Sequence, residues 1–447
     1  MINASFLCIY DRRENMNEKN QDAIYDAREL GEGKVLVLGL QHMFAMFGAT
    51  VLVPLITGLD VSTTLLFAGL GTLLFHFVTK RKVPAFLGSS FAFLGGYAAI
   101  APLGADGSSN IEMIPYACFG VACAGLLYLL MAALIKIYSA EKIMKFFPPI
   151  VTGPIIISIG LTLSKSAIDN CSTNWLVAVA AIAAVIFCNI YGKGMIRIIP
   201  ILIGVIVSYA LGIAMGEVDF TAVAQAPWFG FPIRPEMTVL ALFGENFDVS
   251  KLIASVMTIM PIAIATIVEH VGDISAISST TGINYISSPG IHRTMIGDGL
   301  ATILASLFGA PANTTYGENT GVLNLSKVYD PYVVRLAAVY AIVFSFCPKV
   351  AALIQAMPTA TVGGISLILY GMISAVGVRN VVENQIDFTK SRNVIITALI
   401  LVLSIGVNYS AAGAILFQVG SITISISGIA AGALAGILMN AVLPDKE

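Results

Sequence analysis

The chain has 447 residues, of which 57% are hydrophobic and 11% charged, where a soluble domain carries about 25% charged residues, so an ordinary soluble globule is excluded. A formal net charge of -2 leaves no basic surface for nucleic acid or another polyanion. Mean hydropathy of +0.88 with 41 Gly and 18 Pro marks an all-α polytopic membrane protein, at about 20 residues per span. Residues 1–34 form a polar, charged tail with no apolar core of signal-peptide length. From Lys34 onward, apolar stretches follow at 35–58, 62–79, 84–103, 113–138, 145–164, 172–192, 196–215, 251–276, 295–309, 311–326, 332–356, 358–377, 393–410 and 419–443, fourteen predicted spans.

With a cytoplasmic N-terminus, 20 of the 24 Lys and Arg residues fall inside, among them the run Lys80, Arg81, Lys82. The positive-inside rule therefore supports this count, with both termini cytoplasmic. Residues 217–250 form an external loop dividing the chain into halves. The six cysteines, Cys8, Cys118, Cys123, Cys171, Cys188 and Cys347, show no CxxC and no metal-ligand spacing. They read as small core residues, and neither metal nor cofactor is expected. HExxH and GxSxG are absent too, so an enzyme embedded in the membrane is disfavoured.

The halves echo each other. Gln41-His42 is matched by Glu269-His270, Pro84 by Pro311, and Pro148-x4-Gly-Pro-Ile by Pro358-x4-Gly-Gly-Ile. Seven spans per half is an odd number, so the second half is inverted relative to the first, an architecture of secondary transporters. Spans 3 and 10 open on PAFLGSSFAF (84–93) and APANTTYGENTG (310–321), rich in Pro, Gly, Ser, Asn and Thr. Irregular backbone at membrane depth is tolerated only where protein or a polar cavity satisfies it. Two short extended segments facing each other, each followed by a half-helix, would aim N–H groups into one cavity; the alternative is a pair of external loops.

Glu269, Asp273 and Glu318 are ionisable groups in apolar surroundings, and each is costly there unless partnered. Glu269 and Asp273 share a helix face at i, i+4, so one proton held between them at neutral pH is expected. Structurally, the set could be capped by Asn319, Thr314 and His270. His42 and His270 read as packing residues and Asp298 as a charge at a helix start. Gly428, Gly432 and Gly436 form a small-residue stripe that suits packing inside the chain, with a homodimer seam as the alternative.

The strings LQHMFAMFGATVLVP (40–54), PAFLGSSFAF, EHVG (269–272), PANTTYGENTG and MPTATVGGISLILYG (357–371) resemble the nucleobase/ascorbate transporter family, and within it the bacterial uracil permease branch. The resemblance runs from about Leu36 to Leu443. It implies a proton-coupled nucleobase importer, with a core domain at 35–139 and 251–356 and a gate domain at 140–216 and 357–443. It further implies substrate carboxylates at Glu269 and Glu318, a ring-packing aromatic at Phe91, close contacts at Ala49, Tyr316 and Gly317, a gate tyrosine at Tyr370, and proton coupling among Glu318, Asp273 and Glu269. Uracil permeases of the closest type carry His where this chain has Asp273, and purine-type relatives often carry an acid there. A purine or xanthine permease is therefore the alternative; an anion transporter sharing the fold would want a basic residue where Glu318 stands.

Overall fold

The computed structural model describes residues 23–104, 107–139, 142, 148–243, 247–419 and 422–444, excepting the side chains at 198, 318, 419 and 422–425. Cys8 and the rest of residues 1–22 of the charged tail lie outside the described residues. The first half comprises α1 (Glu32–Thr57), α2 (Val61–Val78), a short strand β1 (Leu87–Ser89), α3 (Leu94–Ile100), α4 (Ile114–Tyr138), α5 (Pro149–Ser172), α6 (Trp175–Tyr191) and α7 (Pro200–Ala214). The second comprises α8 (Val249–Ile259), α9 (Ala263–Thr281), α10 (Ile291–Leu307), β2 (Asn313–Thr315), α11 (Gly317–Ser326), α12 (Pro331–Ser345), α13 (Pro348–Gln355), α14 (Thr359–Glu383) and α15 (Ser391–Asn408), then β3 (Ala414–Val419), β4 (Ile422–Ser427) and α16 (Gly428–Val442).

Local chemistry sets many boundaries. Asp60, Asn174, Asp248 and Asp330 each accept a first-turn N–H as the N-cap of α2, α6, α8 and α12. Gly58, at φ +76°, closes α1 with an N–H bond to the Pro54 carbonyl. Seven helices among the described residues are long and apolar enough to cross a membrane, eight if α12 and α13, bent by 85° at their junction, count as one. The chain is thus a multi-pass, mostly helical membrane protein. α6, α7 and α16 are shorter apolar helices, as is the stretch Phe91–Ile100.

Packing follows a reciprocal pattern. α2 packs on α12 while α10 packs on α4; α1 packs on α12 while α8 packs on α4; α6 packs on α14 while α15 packs on α5. α2 also meets α10, and α5 meets α14 along their lengths. Gly153, Gly160 and Gly377 allow that last approach: a Cβ on Gly160 would lie 2.2 Å from the Tyr370 carbonyl oxygen.

Three expectations need correction. The predicted last span, 419–443, is helical only from Gly428, because the chain ahead of it turns as an antiparallel hairpin pairing Ala414 with Ser427 and Val419 with Ile422. The alternation in Ile-Thr-Ile-Ser-Ile-Ser has the period of a strand, but it runs directly into the apolar helix that follows and so reads as part of one span. The predicted span 332–356 is broken before Pro348, which cannot continue a helix without losing a backbone bond. Asp298 does not start a helix: α10 begins at Ile291, and Asp298 lies midway along it, fully buried. The glycine stripe packs inside the chain, with Gly428 and Gly432 against Ser404 and Gly436 against Ile400 of α15.

Candidate functional site

Pro84 and Pro311 each precede an extended run, as proline's effect on the preceding residue and its own fixed φ favour. The two runs meet as antiparallel strands with Leu87 opposite Thr315, Gly88 opposite Thr314 and Ser89 opposite Asn313. The ladder extends one bond beyond each end, from Ser90 N–H to the Ala312 carbonyl at 2.9 Å and from Tyr316 N–H to the Phe86 carbonyl at 3.0 Å. Backbone groups facing away from the ladder find side chains. Thr72 of α2 both donates to the Leu87 carbonyl and accepts from its N–H, and Thr302 of α10 donates to the Asn313 carbonyl at 2.9 Å. Asn313 in turn donates from Nδ2 to the Phe67 carbonyl at 3.0 Å. An extended backbone inside a hydrophobic bundle is thereby kept satisfied.

Each strand runs into a helical start. After β1 come the 3-10 turn Phe91–Phe93 and α3; after β2, with Tyr316 as N-cap, comes α11. The first N–H groups of such turns have no intrahelical acceptor, so two donor sets flank the short sheet. Tyr316 is pinned: its hydroxyl donates to the Ser89 carbonyl at 2.8 Å and accepts from Thr50 Oγ1 at 3.3 Å. Its own N–H is already used in the ladder. A Cβ on Gly88 would lie 2.5 Å from the Tyr316 ring, so only glycine fits there. Gly317, by contrast, is exposed, with open space where a Cβ would be. Phe91 is half-buried while Phe93 is fully buried, so the ring of Phe91 keeps an accessible surface. Ala49, on α1, is buried and packs with Tyr316 and Phe86 in one apolar cluster, against which Phe91 also packs.

The acidic face comes from α9. Glu269 and Asp273 are both half-buried, one turn apart, and Asp273 Oδ2 accepts a hydrogen bond from Thr315 Oγ1 of β2 at 2.8 Å. That bond brings the α9 carboxylate face to the strand pair. Glu318 occupies the first turn of α11; its side chain lies outside the described residues. Tyr370 is buried on α14 at the seam with α5, on different elements from the strand pair.

The buried His42 and His270 are each tied into packing. Asn319 Nδ2 of α11 meets His42 Nδ1 at 3.1 Å and the His42 carbonyl at 3.0 Å, linking α1 to the helix after β2. His270 places Nε2 2.9 Å from Thr294 Oγ1 and Nδ1 2.9 Å from Asp298 Oδ2, all fully buried. Sequence reasoning missed Thr315 and the His270–Asp298 pair, because neither spacing nor residue type relates positions that meet only across elements. Among the described residues no three His, Cys, Asp or Glu side chains cluster as a metal site. A hollow of about 470 Å³ lies elsewhere, lined by Arg392, Asp387 and Asn440, and shares no residue with this arrangement.

Chemically, the arrangement offers carboxylates as acceptors from one side, helix-start N–H groups as donors from another, and an aromatic face. It suits a small planar molecule carrying both N–H and C=O groups on its ring edges.

A sequence model of the Permease family, Xan_ur_permease, matches residues 33–413. The chain is 41% identical over 423 residues to a protein described as "Uracil permease" from Bacillus caldolyticus, covering 93% of both chains. It is 38% identical over 421 residues to "Uracil permease" of Bacillus subtilis, covering 91% of this chain and 92% of that one. Among solved structures, the transmembrane domain of the cyanobacterial bicarbonate transporter BicA superposes with a TM-score of 0.62 at 16% identity, over 87% of this chain and 99% of that one. At that identity the likeness concerns the fold alone.

Proposed function

The chain belongs to the Permease family matched over residues 33–413, and we propose that it is a uracil transporter that imports its substrate with a proton by alternating access across a bacterial cytoplasmic membrane. The observation that carries the reading is the convergence of Glu269 and Asp273 on the strand pair, held by the Thr315–Asp273 bond. Uracil is a planar imide: its ring N–H groups need acceptors, which Glu269 and Glu318 supply, and its carbonyls need donors, which the first turns after β1 and β2 supply. Phe91 covers a ring face. A site that hydrogen-bonds both ring edges rejects analogues lacking them, since its own polar groups would be left unpaired.

Two inverted sets of seven spans fit the reciprocal packing. Exchanging the halves turns the α2–α12 contact into α10–α4, α1–α12 into α8–α4, and α6–α14 into α15–α5. Contacts among α1, α2, α4, α8, α10 and α12 support a core domain; those linking α5 to α7 with α14 to α16 support a gate domain with Tyr370 at its α5 seam. Substrate held by the core would then be exposed to either side as the core moves against the gate. Asp273, an acid where the resemblance to uracil permeases leads one to expect His, favours purine or xanthine transport as the second reading.

The deciding experiment is uptake of labelled uracil into a permease-null bacterial strain expressing the chain, with and without a protonophore, and with xanthine and guanine as competitors. Uracil uptake that the protonophore suppresses and neither purine reduces is expected. No uracil uptake, with uptake of labelled xanthine or guanine measured in parallel, would replace this reading by the second one, and uracil uptake indifferent to the protonophore would remove the proton.

A further inference from the structure

The connection between α7 and α8 carries large aromatic side chains turned outward. Trp228, Phe229 and Phe231 are 75%, 76% and 76% exposed, and Phe243 further along is 75% exposed. Yet the backbone that bears them is strapped down. Gly230 N–H donates to the Phe346 carbonyl at 3.0 Å, and Phe229 stacks on Phe346 with ring centroids 5.8 Å apart. Lys349 Nζ stands 5.1 Å from the centre of the Trp228 ring. On the other side, the Pro232 carbonyl accepts from Thr63 Oγ1 at 2.6 Å, and Arg234 Nε lies 2.9 Å from Oδ2 of the nearly buried Asp60.

Rigid anchoring of this kind leaves exposed apolar area that water would penalise by about 25 cal/mol per Å². The contacts run to the start of α2, at Asp60 and Thr63, and to the end of α12, at Phe346. The patch therefore sits at the level of helix ends, and it continues the exposed apolar side of α12 formed by Val339 and Val343. Bulky aromatics at span ends, beside cations such as Lys349 and Arg234, match the boundary between acyl chains and phosphate headgroups.

We propose that residues 228–231 form a membrane-interface anchor, with Trp228, Phe229 and Phe231 seated among phospholipid headgroups and the first acyl carbons, and with their backbone fixing the connection across the ends of α2 and α12. The occupant is lipid rather than a second protein chain. The anchor does not depend on which substrate the permease carries.

The chain has two tryptophans, Trp175 and Trp228, so Trp175→Phe leaves Trp228 as the sole indole reporter. The full-length variant is reconstituted into phosphatidylcholine vesicles with and without lipid brominated at shallow acyl positions, and its emission is also titrated with aqueous iodide. Trp228 emission should be quenched more strongly by brominated lipid than by iodide. Stronger quenching by iodide would place the loop in water; resistance to both would mean protein covers it, and either result overturns the proposal. If Trp175→Phe does not elute as a single species in detergent, the difference in quenching between the unaltered chain and Trp228→Phe reads the same site.

Discussion

Thr315 of β2 donates to Asp273 Oδ2 of α9 at 2.8 Å, a contact between residues 42 positions apart that joins the second broken segment to the carboxylate face of α9. Because β2 is itself laddered to β1, this single side-chain bond relates both strands to Glu269, one turn before Asp273. The first expectation follows from it. Thr315→Val keeps the shape of a fully buried side chain but removes the donor. A hydrogen bond to a charged group contributes about 1.5–3 kcal/mol, so uracil binding should weaken by about ten- to a hundredfold. Isothermal titration of purified variants measures it, with Thr315→Ser expected to retain affinity. Equal affinity for Val and Thr would show that the bond does not position α9.

Glu269→Gln should abolish substrate binding. An amide presents a donor where the ring N–H requires an acceptor, which leaves mismatched polar groups in a confined site. Near-normal uracil binding by a variant that elutes as the unaltered protein does would remove Glu269 from the site.

Phe91→Ala should weaken uracil binding by about 1–3 kcal/mol, the range for losing a base-aromatic stack, and Phe91→Tyr should weaken it less. Phe93, fully buried, should behave differently: Phe93→Ala empties a packed position and costs about 3–5 kcal/mol of stability. Thermal unfolding and binding measured on both variants separate these effects. Lost affinity with unchanged stability in Phe93→Ala, together with a silent Phe91→Ala, would move the ring contact to Phe93.

Glu269, Asp273 and Glu318 together would concentrate three negative charges in a weakly hydrated space, so at least one should be protonated in the loaded state, linking occupancy to the proton gradient. Glu318, on the half-helix after β2 rather than on α9, is the expected carrier. Glu318→Gln, which imitates the protonated acid, should still bind uracil but fail to accumulate it in vesicles under an imposed pH gradient. Accumulation by this variant, with failure of Asp273→Asn, would transfer the coupling role to Asp273.

The extended character of 84–93 and 310–321 was legible because Pro, Gly, Ser and Thr replace Leu and Ile where a continuous helix would be expected, and both runs do form strands followed by helical starts. The i, i+4 carboxylates and the Gly428/Gly432/Gly436 stripe were legible for the same reason: a helix repeat places them on one face without reference to any neighbour. The hairpin of β3 and β4 was not, since a stretch long enough to span the bilayer reads as apolar whether its apolar residues recur every 2 positions or every 3.6. Asp298 was misplaced because His292, Arg293 and Thr294 interrupt the apolar run, although α10 already begins at Ile291.

Composition and hydropathy by themselves determined that this chain is a multi-pass membrane protein, and its motifs determined the family, because burying hydrocarbon in a bilayer and breaking a helix with proline or glycine are local properties of the residues concerned. Tertiary structure alone decided that Gly88 faces Thr314, that Thr72 and Thr302 close the outer edges of the strands, and that Thr315 reaches Asp273. Those are pairings between residues whose meeting depends on how α2, α9 and α10 pack, and a hydrogen bond of about 3 Å exists only once that packing has brought its two ends together.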